Sequence, residues 1–335
     1  MADTPAAPSP QKITGQLIGA FRSAALLSAL QLELFTALGD EALTGEEVAA
    51  NIGVQPRRLL PILNLLVVIG LLRRDGARFS NGEEAAYYLL RGKPGYIGGM
   101  HELFADLYRA VLSTSESIRN DRPAAEHDFA RMSAEELASF FGGLHGLGVV
   151  QGRQLAEQHD FGRFGVLADV GGGSGNIAIG ACQACTELRA TVLELDQVVP
   201  IARRFIADAQ LAGRITATAC DITRQVPTAT YDVAVLRSLI QVLSPDQAAC
   251  AILNIGSRIR PGGEIYIIGS VLDDSRLAPW EAAAYDVVFL NIYPGGRSYT
   301  EGEHREWLRA AGFERVERTL LPNNASLITA RKLTG

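Results

Sequence analysis

The sequence predicts an α/β protein, a doubly wound Rossmann-like sheet behind an N-terminal α-helical winged-helix domain. Three observations carry that expectation. Val166 to Gly175, V-L-A-D-V-G-G-G-S-G, runs from an apolar strand through a glycine turn to a helix start, the layout of a nucleotide-type binding unit. Beyond it, short apolar strands alternate with helical stretches and bring the acids Glu194 and Asp221 to strand ends, as in a parallel sheet that binds its ligand at the carboxyl edge. Ahead of it, two short helices precede a hairpin that turns at Asp75-Gly76, which makes a winged-helix pattern.

At 335 residues the chain is long enough for two domains, or one large domain with an appendage. Its 47% hydrophobic and 20% charged content is that of an ordinary soluble globular chain. A net charge of −6 argues against a nucleic-acid partner held through phosphates. The pattern divides the chain into a polar, proline-rich tail over 1–12, expected to be disordered, and a winged-helix dimerisation domain over 13–95. A helical linker and pocket lid over 96–160 and a ligand-binding domain over 161–335 follow. No basic-then-apolar leader opens the chain, and no apolar run reaches the roughly 18 residues of a membrane span. A cytoplasmic protein with no membrane partner is therefore expected. Cys182 and Cys185 form a C-x-x-C on the first helix after the glycines. No second ligand pair or nearby histidine completes a metal site, so buried thiols and no metal are expected.

In chain order, Ile13 to Leu38 is apolar at helical spacing nearly all round, which suits a helix buried in a subunit interface. Thr44-Gly45-Glu46-Glu47 is a capping box that opens a helix through Ile52, and Arg57 to Gly70 makes a second. This shape binds DNA in many regulators. Here, however, the second helix has two basic residues at its start and is otherwise apolar, whereas a reading helix needs a polar face. Packing or dimerisation is the better reading. Between Gly95 and Asp160 there is no strand pattern, only helical stretches with aromatics and histidines. His101, Phe104 and Tyr108 share one face, and Phe140, Phe141, His145 and Val149 another. Core packing suits most of these, but His145 is flanked by glycines that let a ligand approach, and it is the preferred polar pocket residue.

The spacing of the glycines selects the ligand. A dinucleotide fingerprint would place a glycine where Asn176 stands. The chain instead has Asp169-x-Gly171-x-Gly173-x-Gly175. An acid there repels a pyrophosphate and suits an amine, which points to S-adenosylmethionine (SAM), a nucleoside with an α-amine and no phosphate. Glu194, 19 residues past Gly175, is spaced to take ribose hydroxyls. Asp221 ends a third strand, I-T-A-T-A-C-D, placed to meet the adenine amine. Y-D-V-A-V-L is a fourth strand, and a helix to Ile259 leads through P-G-G-E-I-Y-I-I-G into a fifth.

D-V-G-G-G-S-G, L-E-L-D-Q-V-V-P, R-x-x-x-Q-V-L-S-P-D-Q, R-P-G-G and G-R-S-Y-T-E-G-E-H together resemble the SAM-dependent O-methyltransferases of the plant caffeate and bacterial polyketide-tailoring type. The likeness covers nearly the whole chain. It implies a class I methyltransferase sheet, a winged-helix dimerisation domain, a homodimer and a small-molecule methyl acceptor. It also implies that Asp169, Gly171 and Gly173 hold the methionine end of SAM, and Glu194 the ribose with Leu195 beside it. Asp221 and Ile222 would meet the adenine, and Arg237 would stand beside the cofactor.

One position departs from the family. Gln241 stands where those enzymes carry a catalytic histidine, and glutamine takes no proton at neutral pH. Three solutions follow. Catalysis without a base suits a thioether sulfur, for which desolvation and alignment suffice. That is the favoured expectation, with an acceptor such as 4-methylthio-2-hydroxybutyrate, as in the more loosely similar S-methyltransferases on the way to dimethylsulfoniopropionate. Phe289, Tyr293 and Tyr285 would then stabilise the cationic product, Arg297 would meet a substrate carboxylate, and Tyr108 and Phe141 would line the pocket. The second solution is O-methylation of a hydroxylated small molecule assisted by His145. The third is a SAM-binding winged-helix regulator without methyl transfer.

Overall fold

A computed structural model describes residues 9–93, 95–129, 131–321 and 324–334. The chain forms two compact units, residues 1–105 and 106–335.

The first unit contains α1 (Gln11–Gln31), α2 (Leu34–Leu38), β1 (Leu43–Thr44), α3 (Gly45–Asn51), α4 (Pro56–Val68), β2 (Leu72–Asp75), β3 (Arg78–Asn81) and α5 (Glu83–Tyr88). The capping box forms at α3. Thr44 Oγ1 accepts from the Glu47 amide at 3.2 Å, and Glu47 Oε2 accepts from the Thr44 amide at 2.7 Å, so two amides at the helix start find partners. Helices α3 and α4 precede the β2–β3 hairpin, and β1 adds to it in the order β1-β3-β2. Leu34, Phe35, Val48, Leu63, Leu66 and Phe79 form the core.

Three expectations for this region need correction. The helix read from Ile13 to Leu38 breaks at Glu33, whose φ of 52° turns the chain so that Leu34, Phe35 and Leu38 enter the core. The tail expected over 1–12 gives way to α1 at Gln11, and its residues 1–8 lie outside the described residues. Helix α1 is also long and apolar enough to cross a membrane by length and composition, although the polar residues inside it hid this from a search for an unbroken run. Only Ala25 and Ala29 of α1 are buried. Ile13, Leu17, Ile18 and Phe21 stay between 57% and 70% exposed in the single chain, a patch that needs a cover. If a second copy supplies that cover, Leu17→Glu with Phe21→Glu converts a dimer into a monomer. Light scattering on the purified variant checks this, and an unchanged mass rules it out.

The second unit begins within α6 (His101–Leu112) and continues through α7 (Thr114–Asn120), α8 (Ala134–Gln158), β4 (Val166–Val170), α9 (Asn176–Ala184), β5 (Arg189–Glu194), α10 (Val199–Asp208) and β6 (Ile215–Ala219). Next come β7 (Tyr231–Arg237), α11 (Pro245–Gly256), β8 (Ile259–Gly269), β9 (Val271–Leu272), α12 (Trp280–Ile292), β10 (Tyr299–Thr300), α13 (Glu301–Ala310), β11 (Phe313–Leu320) and β12 (Ser326–Lys332). The seven-stranded sheet has the order β11-β12-β8-β7-β4-β5-β6. Its strands β4 to β8 are parallel, and β12 runs against both β8 and β11. The strand order reverses between β4 and β7, and such a crevice at the carboxyl ends is where doubly wound sheets bind ligands.

Two apolar cores flank the sheet. Ala168, Val170, Ala234 and Leu236 face one side, and Leu167, Val192, Val233 and Val235 the other, the alternation that a pleated strand imposes. Helix α11 ends at Gly256, so Ile259, read as the end of that helix, opens β8 instead. Cys185 lies just beyond α9, half-buried, while Cys182 is within it and buried. Helices α8 and α9 meet along a glycine seam. A Cβ on Gly148 would collide with Asn176, one on Gly152 with the Ile177 backbone, and one on Gly180 with the Val149 carbonyl.

Candidate active site

The site grows out of β4. Asp169 points toward α9, where its Oδ2 accepts from the Ala178 amide at 3.0 Å. Ala178 is the third residue of α9, so the carboxylate caps an otherwise unpaired amide at the positive end of a helix. The other oxygen, Oδ1, is buried and has no hydrogen-bond partner among the described residues. Burial pushes the carboxyl pKa up to about 7 against the pull of the Ala178 amide; Glu194 adds to the rise and Arg237 opposes it. Gly171, Gly173 and Gly175 have φ of 61°, 55° and 73°, which glycine adopts without strain. A Cβ on Gly172 would lie 2.6 Å from the Asp169 carboxyl carbon, so a side chain there would crowd the carboxylate.

Glu194 ends β5 and ties the turn to it. Its Oε2 accepts from the Gly173 amide and its Oε1 from the Leu195 amide, both at 2.8 Å. Burial raises its pKa while the Leu195 and Gly173 amides hold it down. The Cys220 amide donates to the Glu194 carbonyl at 2.8 Å, which brings Asp221 and the buried Ile222 to the same edge of the sheet as Glu194 and Leu195. Asp221 Oδ1 accepts from the Thr223 hydroxyl at 2.6 Å and the Thr223 amide at 3.1 Å, and its Oδ2 pairs with Arg224 at 3.6 Å. Arg237, the last residue of β7, donates from Nε to Gln151 Oε1 on α8 at 2.6 Å. Burial lowers its pKa and Asp169 opposes the drop.

These residues fit SAM. The unpaired, buried Asp169 Oδ1 offers an acceptor to an ammonium group, and Glu194 offers a carboxylate at the edge where vicinal hydroxyls would lie. When bound, SAM supplies an electrophilic methyl group on a sulfonium sulfur.

The residues expected around the acceptor fall into two groups. Phe141 lies against the glycine turn, its ring 2.5 Å from where a Gly173 Cβ would be. From it a run of rings extends to α12. Phe141 neighbours Phe140 at 5.3 Å and Phe129 at 5.9 Å, and Phe129 neighbours Tyr293 at 6.3 Å. Phe289 links Tyr293 at 6.2 Å to Tyr285 at 5.9 Å. Tyr108 on α6 is exposed, and burial raises the Tyr285 pKa, with nearby Tyr108 adding to the rise. Gln241 occupies a short turn, Ile240–Val242, with its amide over Gly269. Its backbone neighbours the position of a Gly296 Cβ, as does the Tyr293 side chain.

The other group has partners outside that run of rings. His145 Nδ1 meets Ser174 Oγ at 2.9 Å and its ring stacks on Phe205 at 4.1 Å. Burial takes its pKa down to about 4, so the imidazole is neutral and props the glycine turn from the α10 side. Arg297, expected to meet a substrate carboxylate, donates to Glu303 Oε1 at 2.8 Å and lies over the Tyr299 ring. Its charge is compensated in a neighbouring ion pair.

Sequence reasoning missed His127 and Asp106. His127 is buried, with Nε2 2.7 Å from Asp106 Oδ2 and its ring edge-on to Phe140 at 5.7 Å and Tyr293 at 6.0 Å. Its amide and that of Ala125 donate to the Ile292 and Asn291 carbonyls at 2.8 and 3.1 Å, which fixes the loop against the end of α12. The only sequence signal was A-E-H-D-F in a segment without periodicity. Gln151, the partner of Arg237, was missed for the same reason: a polar residue on a helix announces no partner.

This fold and this site define a class I methyltransferase. Residues 107–314 match the O-methyltransferase domain family and residues 16–91 the O-methyltransferase dimerisation domain. The chain is 30% identical to 3-hydroxy-5-methyl-1-naphthoate 3-O-methyltransferase of Streptomyces sahachiroi, over 92% of this chain and 90% of that one. It is 29% identical to the tetracenomycin polyketide synthesis 8-O-methyl transferase TcmO of Streptomyces glaucescens, over 93% and 94%. Human N-acetylserotonin methyltransferase, solved in complex with SAM, superimposes with a TM-score of 0.85 at 22% identity, covering all of both chains. The chain belongs to the SAM-dependent O-methyltransferase family. It is an enzyme, and SAM is its cofactor.

The raised pKa of Asp169 has a sign that can be checked. The free protein holds a proton on this carboxyl below about pH 7, whereas an ammonium partner favours the carboxylate. Binding therefore expels a proton, and the Kd for SAM should rise roughly tenfold per pH unit between pH 7 and 5. Asp169→Asn should weaken binding at pH 8 and flatten this slope. Calorimetry over that range tests both, and an equal slope in the two proteins removes the assignment.

Proposed function

We propose that the enzyme transfers methyl to a hydroxyl on a flat aromatic small molecule, and that it works as a homodimer. The observation that carries this reading is the run of rings from Phe141, against Gly173, to Tyr285 on α12. Aromatic faces stack on a planar acceptor, each such pair contributing about 0.5–1.5 kcal/mol beyond simple burial. Phe141 anchors the run at the turn that holds the cofactor, so an acceptor lying along it has one edge near the methyl group. The Gln241 amide can donate to or accept from a second oxygen on such an acceptor. The naphthoate and tetracenomycin methyltransferases to which the chain is similar support a fused-ring acceptor.

A thioether acceptor is the reading that Gln241 favours, because sulfur has no proton to lose. Against it, Arg297, the group expected to meet a small carboxylate, is already paired with Glu303. A panel of hydroxynaphthoates, simple phenols and short thioether carboxylates, read by release of S-adenosylhomocysteine, separates the two. The expected outcome is a kcat/KM at least tenfold higher for the hydroxyarenes. Turnover confined to thioethers reverses the proposal.

A further inference from the structure

We propose that His127 takes the proton from the acceptor hydroxyl and that Asp106 orients it for that task. The inference rests on the O-methylation reading and supplies the group that Gln241 cannot. Three observations converge on it. The His127 side chain is more than nine-tenths buried, and its Nδ1 has no hydrogen-bond partner among the described residues. A buried polar nitrogen left unpaired is destabilising, so a partner at Nδ1 recovers stability that the protein alone forgoes. At the opposite nitrogen, Asp106 Oδ2 stands 2.7 Å from Nε2. A carboxylate there holds the proton on Nε2 and leaves the Nδ1 lone pair as the acceptor, the arrangement by which an acid sets the tautomer of a general base.

The third observation is position. His127 contacts Phe140 and Tyr293 edge-on. Phe140 contacts Phe141, the ring against Gly173. The imidazole is thus part of the wall that the aromatic acceptor would lie along, two rings from the glycine turn. His145 differs on each count, since its Nδ1 is committed to Ser174 and its ring to Phe205.

The step balances without another reagent. An O–CH3 bond forms on the acceptor oxygen as the S–CH3 bond of the donor breaks. The bonding pair stays on sulfur, and the hydroxyl proton passes to Nδ1, leaving an imidazolium beside the Asp106 carboxylate. The charged and titratable groups around the ring are few. Asp106 faces it from α6 and Tyr293 from the end of α12, while α8 contributes the ring of Phe140. In its own loop Glu126 is exposed and Asp128 pairs with Arg131 at 3.1 Å.

The test uses the full chain with whichever hydroxyarene it turns over best. His127→Gln should lower kcat by roughly a hundredfold or more, the usual scale of general base catalysis. It should leave the Kd for SAM within twofold and abolish the acid limb of the kcat–pH profile. Asp106→Asn should reduce kcat less and weaken the preference for the Nε2–H tautomer, because the imidazole loses the carboxylate that sets it. Independently of turnover, 15N-histidine spectra of the native protein should show His127, assigned by its loss in His127→Gln, with the proton on Nε2. An Nδ1–H tautomer, or a His127→Gln variant with kcat within fivefold of native and the same acid limb, overturns the proposal. If that variant fails to fold, the His127 signal is assigned by its shift in Asp106→Asn, and the tautomer then decides the matter. Native enzyme inactive on every hydroxyl acceptor fails the O-methylation reading and this proposal with it. Native activity alongside an indifferent His127→Gln fails this proposal alone.

Discussion

A buried carboxylate governs the layout of the catalytic unit. Taking a charge out of water is costly unless hydrogen bonds and an opposite charge replace the solvent. Asp169 has the start of α9 on one oxygen and the electrostatic influence of Arg237, but its second oxygen has no protein partner among the described residues. The chain satisfies this group by half, and the unsatisfied half is where a cationic ligand gains most. The turn beside it uses glycine because the backbone must bend through positive φ without crowding the carboxylate. Glu194 then closes the turn from the next strand. Strand, turn and helix start are thus consequences of one charge held at the sheet edge.

His145 and His127 illustrate how surroundings divide labour between identical side chains. His145, between Ser174 and Phe205, is held neutral by burial and supports the cofactor turn. His127 has a carboxylate at one nitrogen and an unpaired lone pair at the other. The first geometry is that of a strut and the second that of a base. Gln241 takes no proton at neutral pH, so on the O-methylation reading the need for a proton acceptor falls on another side chain.

What could be read from the sequence was what local chemistry determines. The apolar strand into Gly171-Gly172-Gly173 and the capping box at Thr44 and Glu47 lie within a few residues of what they act on, and the acids at strand ends follow from the alternation of strands with helices. The relation between elements was less legible. Nothing in the apolar run from Ile13 to Leu38 announced that Glu33 would break it, since the break serves the burial of Leu34 and Phe35 against partners far along the chain. Arg297 read as a loose charge because Glu303, six residues on, becomes its partner only after the loop folds back. Asp106 and His127 are 21 residues apart, on a helix and in a loop, and no periodic pattern links them.

The seam between α8 and α9 has a consequence for how such an enzyme can change its acceptor. Gly148, Gly152 and Gly180 let the two helices approach so closely that a methyl group at any of the three would force them apart. Helix α8 carries Phe140, Phe141, His145 and Gln151, and α9 begins at the cofactor turn. One wall of the pocket is therefore welded to the machinery that all acceptors share, and selection has little freedom to recut it. Beside it, the loop around His127 and the end of α12 are joined to each other by backbone hydrogen bonds that do not depend on side-chain identity. Diversification of acceptors among descendants of this chain should accumulate there, while the glycine seam drifts slowly.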